Sequence, residues 1–203
     1  MTQEADLLAL SRRLGVPLGA AQVASLWVFS GLLIDRAVAL GLIAEGDSER
    51  VLQRHVVDSL RAAAAVGPED RTGYDLGSGA GLPGIVVAIA APELVVRLVE
   101  PRRKAIAFLE LAVAELGLRN AQVVPGRAEE LTAPVDLCFA RALAPIDGAW
   151  QVAAPLLETG GRLVYFAGRR ARVPDRLPLA ASVRIARDMS LESSGPLVII
   201  TRE

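Results

Sequence analysis

The first third of the chain reads as helical, with no convincing strand. Helices are predicted at about 3–14, 18–40 and 47–66, interrupted by Gly15-Val16-Pro17 and by the stretch from Gly41 to Asp47. Asp47 or Ser48 offers a side-chain acceptor to open the third helix, and Gly67-Pro68 closes the helical region. From Thr72 the pattern changes to short apolar runs alternating with amphipathic segments. Strands are expected near 72–76, 94–100, 121–124, 135–140 and 161–167, with helices near 83–91, 102–117 and 145–157 between them. That alternation builds an α/β fold with a mostly parallel sheet covered on both faces. Ser182–Met189 and Leu197–Thr201, joined by Leu-Glu-Ser-Ser-Gly-Pro, read as a hairpin, so the sheet ends in an antiparallel C-terminal strand. The chain therefore divides into an N-terminal helical region, 1–66, and a sheet domain, 67–203, expected to form one compact body.

Composition narrows the chemistry. The 203 residues are 52% hydrophobic and 22% charged, enough apolar material for a real core and nothing like a disordered tail. One cysteine, Cys138, excludes an internal disulfide, and one histidine, His55, leaves almost no material for zinc, iron–sulfur or haem ligation, so no metal site is expected. His55, Asp58 and Ser59 share one predicted helix, where their side chains cannot form a hydrolytic triad. The uncharged stretch Leu14–Ile34 has to be weighed as a membrane span. Gly15, Pro17 and Gly19 leave its continuous helical part too short for about 30 Å of hydrocarbon, so a buried or interface helix is expected instead. The N-terminus lacks the basic segment of a signal peptide, and a cytoplasmic protein is expected.

The net charge of −1 argues against coating nucleic acid by bulk charge, so distribution matters more than the sum. The basic residues are 21 arginines and Lys104, a bias that reflects a GC-rich genome more than function. From Gly160 to Arg187 there are seven arginines against the single acid Asp175, whereas residues 1–70 hold six against nine acids. The C-terminal third is locally basic.

The strongest local signal is Tyr74-Asp75-Leu76-Gly77-Ser78-Gly79-Ala80-Gly81-Leu82-Pro83-Gly84, a strand running into a glycine-rich turn and then a helix. Glycines at this spacing let a ligand approach bare main chain, and the N–H groups opening a helix favour an electron-rich group. The spacing G-x-G-x-G differs from the dinucleotide fingerprint G-x-G-x-x-G, and a tight turn without ligand is the plain alternative. Glu100 sharpens the reading. It ends the second predicted strand, 19 residues beyond Gly81, where a carboxylate meets the two hydroxyls of a nucleoside ribose. Gly126-Arg127-Ala128-Glu129 follows the third strand and Ala140-Arg141-Ala142 the fourth, so all these segments lie where an open α/β sheet binds ligands.

Together with Arg54-His55-Val56-Val57-Asp58-Ser59-Leu60 and Glu100-Pro101-Arg102-Arg103-Lys104, these blocks resemble the ribosomal RNA small subunit methyltransferase G family, also called glucose-inhibited division protein B. They occur in the family's order between about 54 and 142. The resemblance implies a class I methyltransferase with a Rossmann-like sheet that uses S-adenosyl-L-methionine, releases S-adenosyl-L-homocysteine and modifies N7 of a guanine in 16S ribosomal RNA. It implies that Gly77 and Leu82, within the turn that includes Ser78, Gly79 and Gly81, line the donor. It further implies that Ala128 and Glu129 meet the adenine end and that Arg141, the catalytic candidate, closes the site near the methionine end. Two segments depart from the family: Gly41-Leu42-Ile43 stands where Asn-Leu-Thr is usual, and Phe166-Ala167-Gly168 where Leu-Lys-Gly is.

The RNA-facing candidates are Arg54, His55, Asp58, Arg102, Arg103, Lys104, Arg169 and Arg170. Arg54 and Asp58, spaced i and i+4, either pair on one helix or meet substrate, and His55 either packs or contacts RNA. Arg102, Arg103 and Lys104 open a predicted helix against the dipole preference, which suggests an external anion such as phosphate. Cys138, Trp27 and Trp150 read as core, although an exposed ring could stack on a base. The partner implied is 16S RNA or the small ribosomal subunit, met by a monomer. Two alternatives stay open, a methyltransferase of the same fold acting on a small molecule and a non-catalytic nucleoside-binding module. A dinucleotide oxidoreductase is disfavoured by the glycine spacing.

Overall fold

A computed structural model describes residues 3–46, 51–174, 176–186 and 194–203; the side chains of 3–6, Gln53 and Arg54 lie outside that description. The helical region opens with α1 (Gln3–Arg13) and α2 (Ala20–Leu32), the latter running on through a π-helical turn, Leu33–Ala37. A second π-helical segment, Val51–Val57, leads without a break into α3 (Asp58–Ala63). Val23, Leu26, Phe29, Leu33 and Ala37 are buried along one stripe of α2 and its extension, the spacing of an amphipathic helix that packs on one side. Among the described residues no helix is long and apolar enough to cross a membrane. The expected caps Asp47 and Ser48 lie outside the described residues.

The remainder alternates as expected: β1 (Thr72–Leu76), α4 (Gly84–Ala90), β2 (Val95–Glu100), α5 (Arg103–Glu115), β3 (Ala121–Pro125), β4 (Val135–Arg141), α6 (Ile146–Ala153), β5 (Leu157–Phe166), β6 (Ala180–Ala186) and β7 (Leu197–Arg202). The strands form one sheet in the order β3-β2-β1-β4-β5-β7-β6, in which β7 runs antiparallel to both of its neighbours. Successive strand residues point to opposite faces, and the two cores follow that period of two. Leu137, Phe139 and Val164 face the N-terminal helices, α4 and α5, whereas Cys138, Ala140, Leu163 and Tyr165 face α6 and its Trp150. Strand order reverses beside β1, so the carboxyl ends of β1 and β4 open onto a crevice.

β5 begins four residues earlier than its apolar run suggests. Val135 pairs with Leu157 and Leu137 with Arg162, so Glu158-Thr159-Gly160-Gly161 loops out of the ladder. Gly160 takes a φ of +80°, which reads in the sequence as a turn before the strand and not as a bulge within it. β7 sits where expected and lies against β5; β6 starts two residues before the expected Ser182, and the expected strand end, 187–189, lies with 190–193 of the connection outside the described residues.

Candidate functional site at the carboxyl ends of β1, β2 and β4

Burial and backbone geometry build the β1 and β2 side of the crevice. The glycine turn is tied to the end of β2, since Gly77 N–H and Ser78 N–H both donate to the Val99 carbonyl at 2.9 and 3.0 Å. Gly79 has a φ of +56°, a conformation that other residues rarely adopt, and its N–H donates to Glu100 Oε2 at 2.8 Å. A Cβ on Gly84 would overlap Asp75 and Leu98, so only glycine lets α4 start this close to β1. Asp75, 1% exposed, accepts from Gly84 N–H at 3.0 Å, and burial pushes its carboxyl up to about 7 against the pull of the hydrogen bonds from Ser78 and Gly84. Ser78 spends its hydroxyl on the turn, donating to the Asp75 carbonyl at 2.9 Å, and its backbone N–H and carbonyl are bound to Val99 and to Gly81 and Leu82.

Glu100 is 1% exposed. Its Oε1 accepts from Arg102 N–H at 3.0 Å and Nε–H at 2.8 Å, and its Oε2 from Gly79 N–H and, at 3.4 Å, Arg102 Nη2. Burial alone would raise the Glu100 carboxyl, but the Arg102 side chain, the two backbone N–H groups and the Arg102 charge together hold it below its ordinary value. This corrects the reading of Arg102 as a residue waiting for an external anion. It stands in the N-cap position of α5 and folds back on the carboxylate of the preceding strand end. Arg103 and Lys104 are exposed on the first turn of α5. Ala128 is buried and Glu129 exposed on the short 3₁₀ turn after β3.

On the other side of the crevice the chain's first and fifth blocks meet. Arg141, the last residue of β4, reaches the helix of residues 51–63: Nη1 donates to Ser59 Oγ at 3.1 Å and Nη2 lies 3.3 Å from Asp58 Oδ2. Nη2 also lies 3.2 Å from His55 Nδ1. A guanidinium has no acceptor, so a hydrogen bond here requires Nδ1 to accept. Ser59 Oγ donates to the His55 carbonyl at 2.7 Å, so no hydrolytic triad forms. Asp58 Oδ1 accepts from Arg61 Nη1 at 2.7 Å, and both side chains are nearly buried. Asp58 thus pairs with Arg61 and Arg141; the Arg54 side chain lies outside the described residues.

Below Arg141 the Phe166 ring lies 5.4 Å from its guanidinium carbon. A cavity of about 440 Å³ opens here, lined in part by Asp58, Arg141, Tyr165, Phe166 and Arg169. Arg169, in its lining, and Arg170 are exposed after the end of β5. Ala142, with a φ of +56°, turns the chain sharply away after Arg141. Cys138 and Trp150 are core as read, and the Trp150 Nε1–H donates to the Pro178 carbonyl at 2.7 Å. Burial holds the Cys138 thiol far above its ordinary range, which removes it as a nucleophile. Among the described residues no three His, Cys, Asp or Glu side chains converge on a metal position.

The β1 and β2 side fits a nucleoside: bare main chain at Gly77 and Gly79 beside a buried carboxylate with two acceptor oxygens. Sequence reading missed Asp75, Arg61, Ser59 and Phe166. Only Asp75, two residues before Gly77, and Arg61, three after Asp58, carried a spacing that could have signalled them.

Residues 22–174 match the family model described as rRNA small subunit methyltransferase G. A protein of that name from Salinispora tropica is 43% identical over 70% of this chain and 62% of its own length. Another from Moorella thermoacetica is 34% identical over 80% of this chain and 70% of its own, and one from Mycobacterium leprae 40% over 68% and 57%. The chain thus spans about three fifths of the length of two of these relatives. Among solved structures, an S-adenosyl-L-methionine-dependent methyltransferase from Methanococcus maripaludis superposes with a TM-score of 0.59 at 15% identity, over 77% of this chain and 91% of that one. A second, from Aquifex aeolicus, gives 0.57 at 15% over 82% and 98%, and both share the class I methyltransferase fold. With three quarters of its length under the family model and relatives above 40% identity, the chain belongs to the rRNA small subunit methyltransferase G family.

Proposed function

We propose that this chain transfers a methyl group from S-adenosyl-L-methionine to N7 of a guanine in 16S ribosomal RNA, in the cytoplasm. The observation that carries the reading is the junction at Arg141. There a donor-type crevice built on β1 and β2 meets the cavity beside β5, across a guanidinium held by the Arg54–Leu60 block that carries the family resemblance. When bound, the donor supplies a methyl carbon activated by its sulfonium. Glu100 receives the ribose hydroxyls once Arg102 Nε and Nη2 release it. Gly77 and Leu82 line the donor's body, and Ala128 and Glu129 border its adenine. Arg141 donates to the donor's carboxylate or to guanine O6, and a direct bond to N7 would block the lone pair that must attack. That lone pair carries no proton, so the reaction needs no general base, and alignment of N7 with the methyl carbon supplies most of the rate. A chain with one histidine and one buried cysteine is suited to such chemistry. Arg103, Lys104, Arg169 and Arg170, with Arg102 when released, offer phosphates a local basic face despite the net charge.

The test is nucleoside mass spectrometry of 16S RNA from a deletion strain and its parent, with the purified protein added back to deletion-strain RNA. Loss of one 7-methylguanosine and its restoration are the expected outcome. An unchanged nucleoside profile overturns the RNA reading and leaves a methyltransferase for small acceptors or a binding module.

A further inference from the structure

Resting on the guanine-N7 reading, the cavity beside Arg141 carries a second piece of chemistry. Adenine has a lone pair at N7 as guanine does, so an enzyme of this kind must choose its base through some other edge. Guanine differs in presenting O6 as an acceptor and N1–H and N2–H as neighbouring donors, where adenine presents an N1 acceptor. Among the described residues lining the cavity, Asp58 has the one carboxylate.

We propose that Asp58 is the residue that reads guanine, accepting from N1–H and N2–H of a base inserted into this cavity. Its carboxylate is held by the buried Arg61, a residue that does not line the cavity and whose Nη1 donates to Oδ1 at 2.7 Å. The contact of Oδ2 with Arg141 Nη2 is long for a charge-assisted bond, at 3.3 Å, and each carboxylate oxygen has room for a second donor. Arg141 lies beside Asp58, so a base whose N1–H and N2–H face Asp58 brings O6 next to the guanidinium and N7 beyond it, on the donor side. The same contact favours the reaction itself. Methylation at N7 makes the purine cationic and strengthens N1–H as a donor, so a fixed carboxylate there binds the transition state more tightly than the ground state. An adenine in this seat would set its N1 lone pair against a carboxylate, and the site rejects it.

The experiment uses the intact protein and synthetic 16S RNA fragments carrying guanosine or inosine at the target mapped by mass spectrometry. Inosine keeps N7, O6 and N1–H and lacks only the N2 amino group. The wild-type protein should methylate the guanosine RNA about 10- to 100-fold faster, the worth of one hydrogen bond to a charged acceptor. In Asp58→Asn, Arg61 keeps the amide oxygen, so the amide N–H₂ faces the cavity and meets guanine donor to donor. The guanosine rate should fall and the guanosine-to-inosine ratio collapse to within about threefold, while calorimetry with S-adenosylhomocysteine gives an affinity within about threefold of wild type. Equal wild-type rates on the two RNAs overturn the proposal without need of a variant. So do an Asp58→Asn ratio that stays at the wild-type value and a loss of donor affinity that accounts for the whole rate loss, which would make Asp58 a support for Arg141. Methylation of no guanine at all by the wild-type protein overturns the parent reading, and this one with it.

Discussion

On the proposed function, Arg102 and a donor ribose compete for the same two oxygens, and removing Arg102 tests this directly. Arg102 Nε and Nη2 lie 2.8 and 3.4 Å from the oxygens of Glu100, and Nη2 also lies 3.5 Å from where a Cβ on Gly79 would be, over the bare backbone of the turn. Donor binding therefore has to exchange these contacts for ribose hydroxyls. The guanidinium is 63% exposed while the carboxylate is 2% exposed. Water screens the pair from one side only, which places it near the top of the range for exposed ion pairs, about 1 kcal/mol. In Arg102→Ala the backbone donors at Gly79 and residue 102 remain, so Glu100 stays partly satisfied and the ligand no longer has a competitor. S-adenosylhomocysteine should bind about two- to fivefold tighter, since a factor of ten in affinity is about 1.4 kcal/mol. Isothermal titration calorimetry reads the change, and Arg102→Lys, which keeps a charge but not the two-pronged geometry, should fall between. An affinity that falls by more than about twofold in Arg102→Ala would refute the competition, because it means that Arg102 helps to hold the donor.

Three further outcomes follow from the same geometry. Asp75, pushed up to about 7 by burial, binds its proton more tightly in the folded chain than in the unfolded one, so its contribution to stability declines from about pH 4 to 7 and levels off above. Asp75→Asn should therefore gain melting temperature relative to wild type between pH 5 and pH 8, and a difference that does not change with pH contradicts the shifted ionisation. Charge reversal at Arg169 and Arg170 should reduce the salt dependence of RNA binding by about 0.7 log units per tenfold salt for each lost phosphate contact, read by fluorescence anisotropy; an unaltered slope makes the loop a solvated surface. Arg141→Lys keeps a cation near Asp58 but cannot span Ser59, His55 and Asp58 together. Methylation should fall at least about tenfold while the melting temperature drops only a few degrees, at about 2–4 °C per kcal/mol for a domain of this size, and wild-type turnover in the variant would reduce Arg141 to a structural tie.

Most of the architecture was legible because each element carries one dominant signal. Five strand cores and three crossing helices lie within a few residues of the periods that predict them, and Gly77, Gly79 and Gly81 all take the positive φ that their spacing suggests. What the sequence concealed is what depends on chain segments far apart or on competition within a few residues. The start of β5 was hidden because Glu158–Gly161 has turn chemistry inside a strand. Ser78 and Arg102 looked available to ligands, yet each closes a local hydrogen bond, to Asp75 and to Glu100, that no periodicity announces. Asp58 was open between Arg54 and substrate, Arg61 one turn on went unread, and nothing local marks the partner that arrives from β4.

Arg141 draws its partners from a segment 82–86 residues upstream, and this has consequences for how the site is assembled. Val56, Val57 and Leu60 of that segment belong to the same buried cluster as α4 and the sheet face of Leu137, Phe139 and Val164. The helical region is thus a wall of the crevice as well as a cover for the sheet, and the hydrophobic packing of 51–63 sets where Asp58, His55 and Ser59 stand. A methyl transfer that needs no proton relay depends on placement within fractions of an ångström more than on any reactive group. In this chain placement comes from buried, hydrogen-bonded charges whose positions are over-determined: Arg61 on Asp58, and Asp58 and Ser59 on Arg141. Such networks lose far more when one member is removed than a surface ion pair does, because the remaining charge stays buried without its partner. Substitutions on the interior face of 51–63 that only loosen packing should therefore impair methylation before they impair folding, although none of them touches donor or RNA.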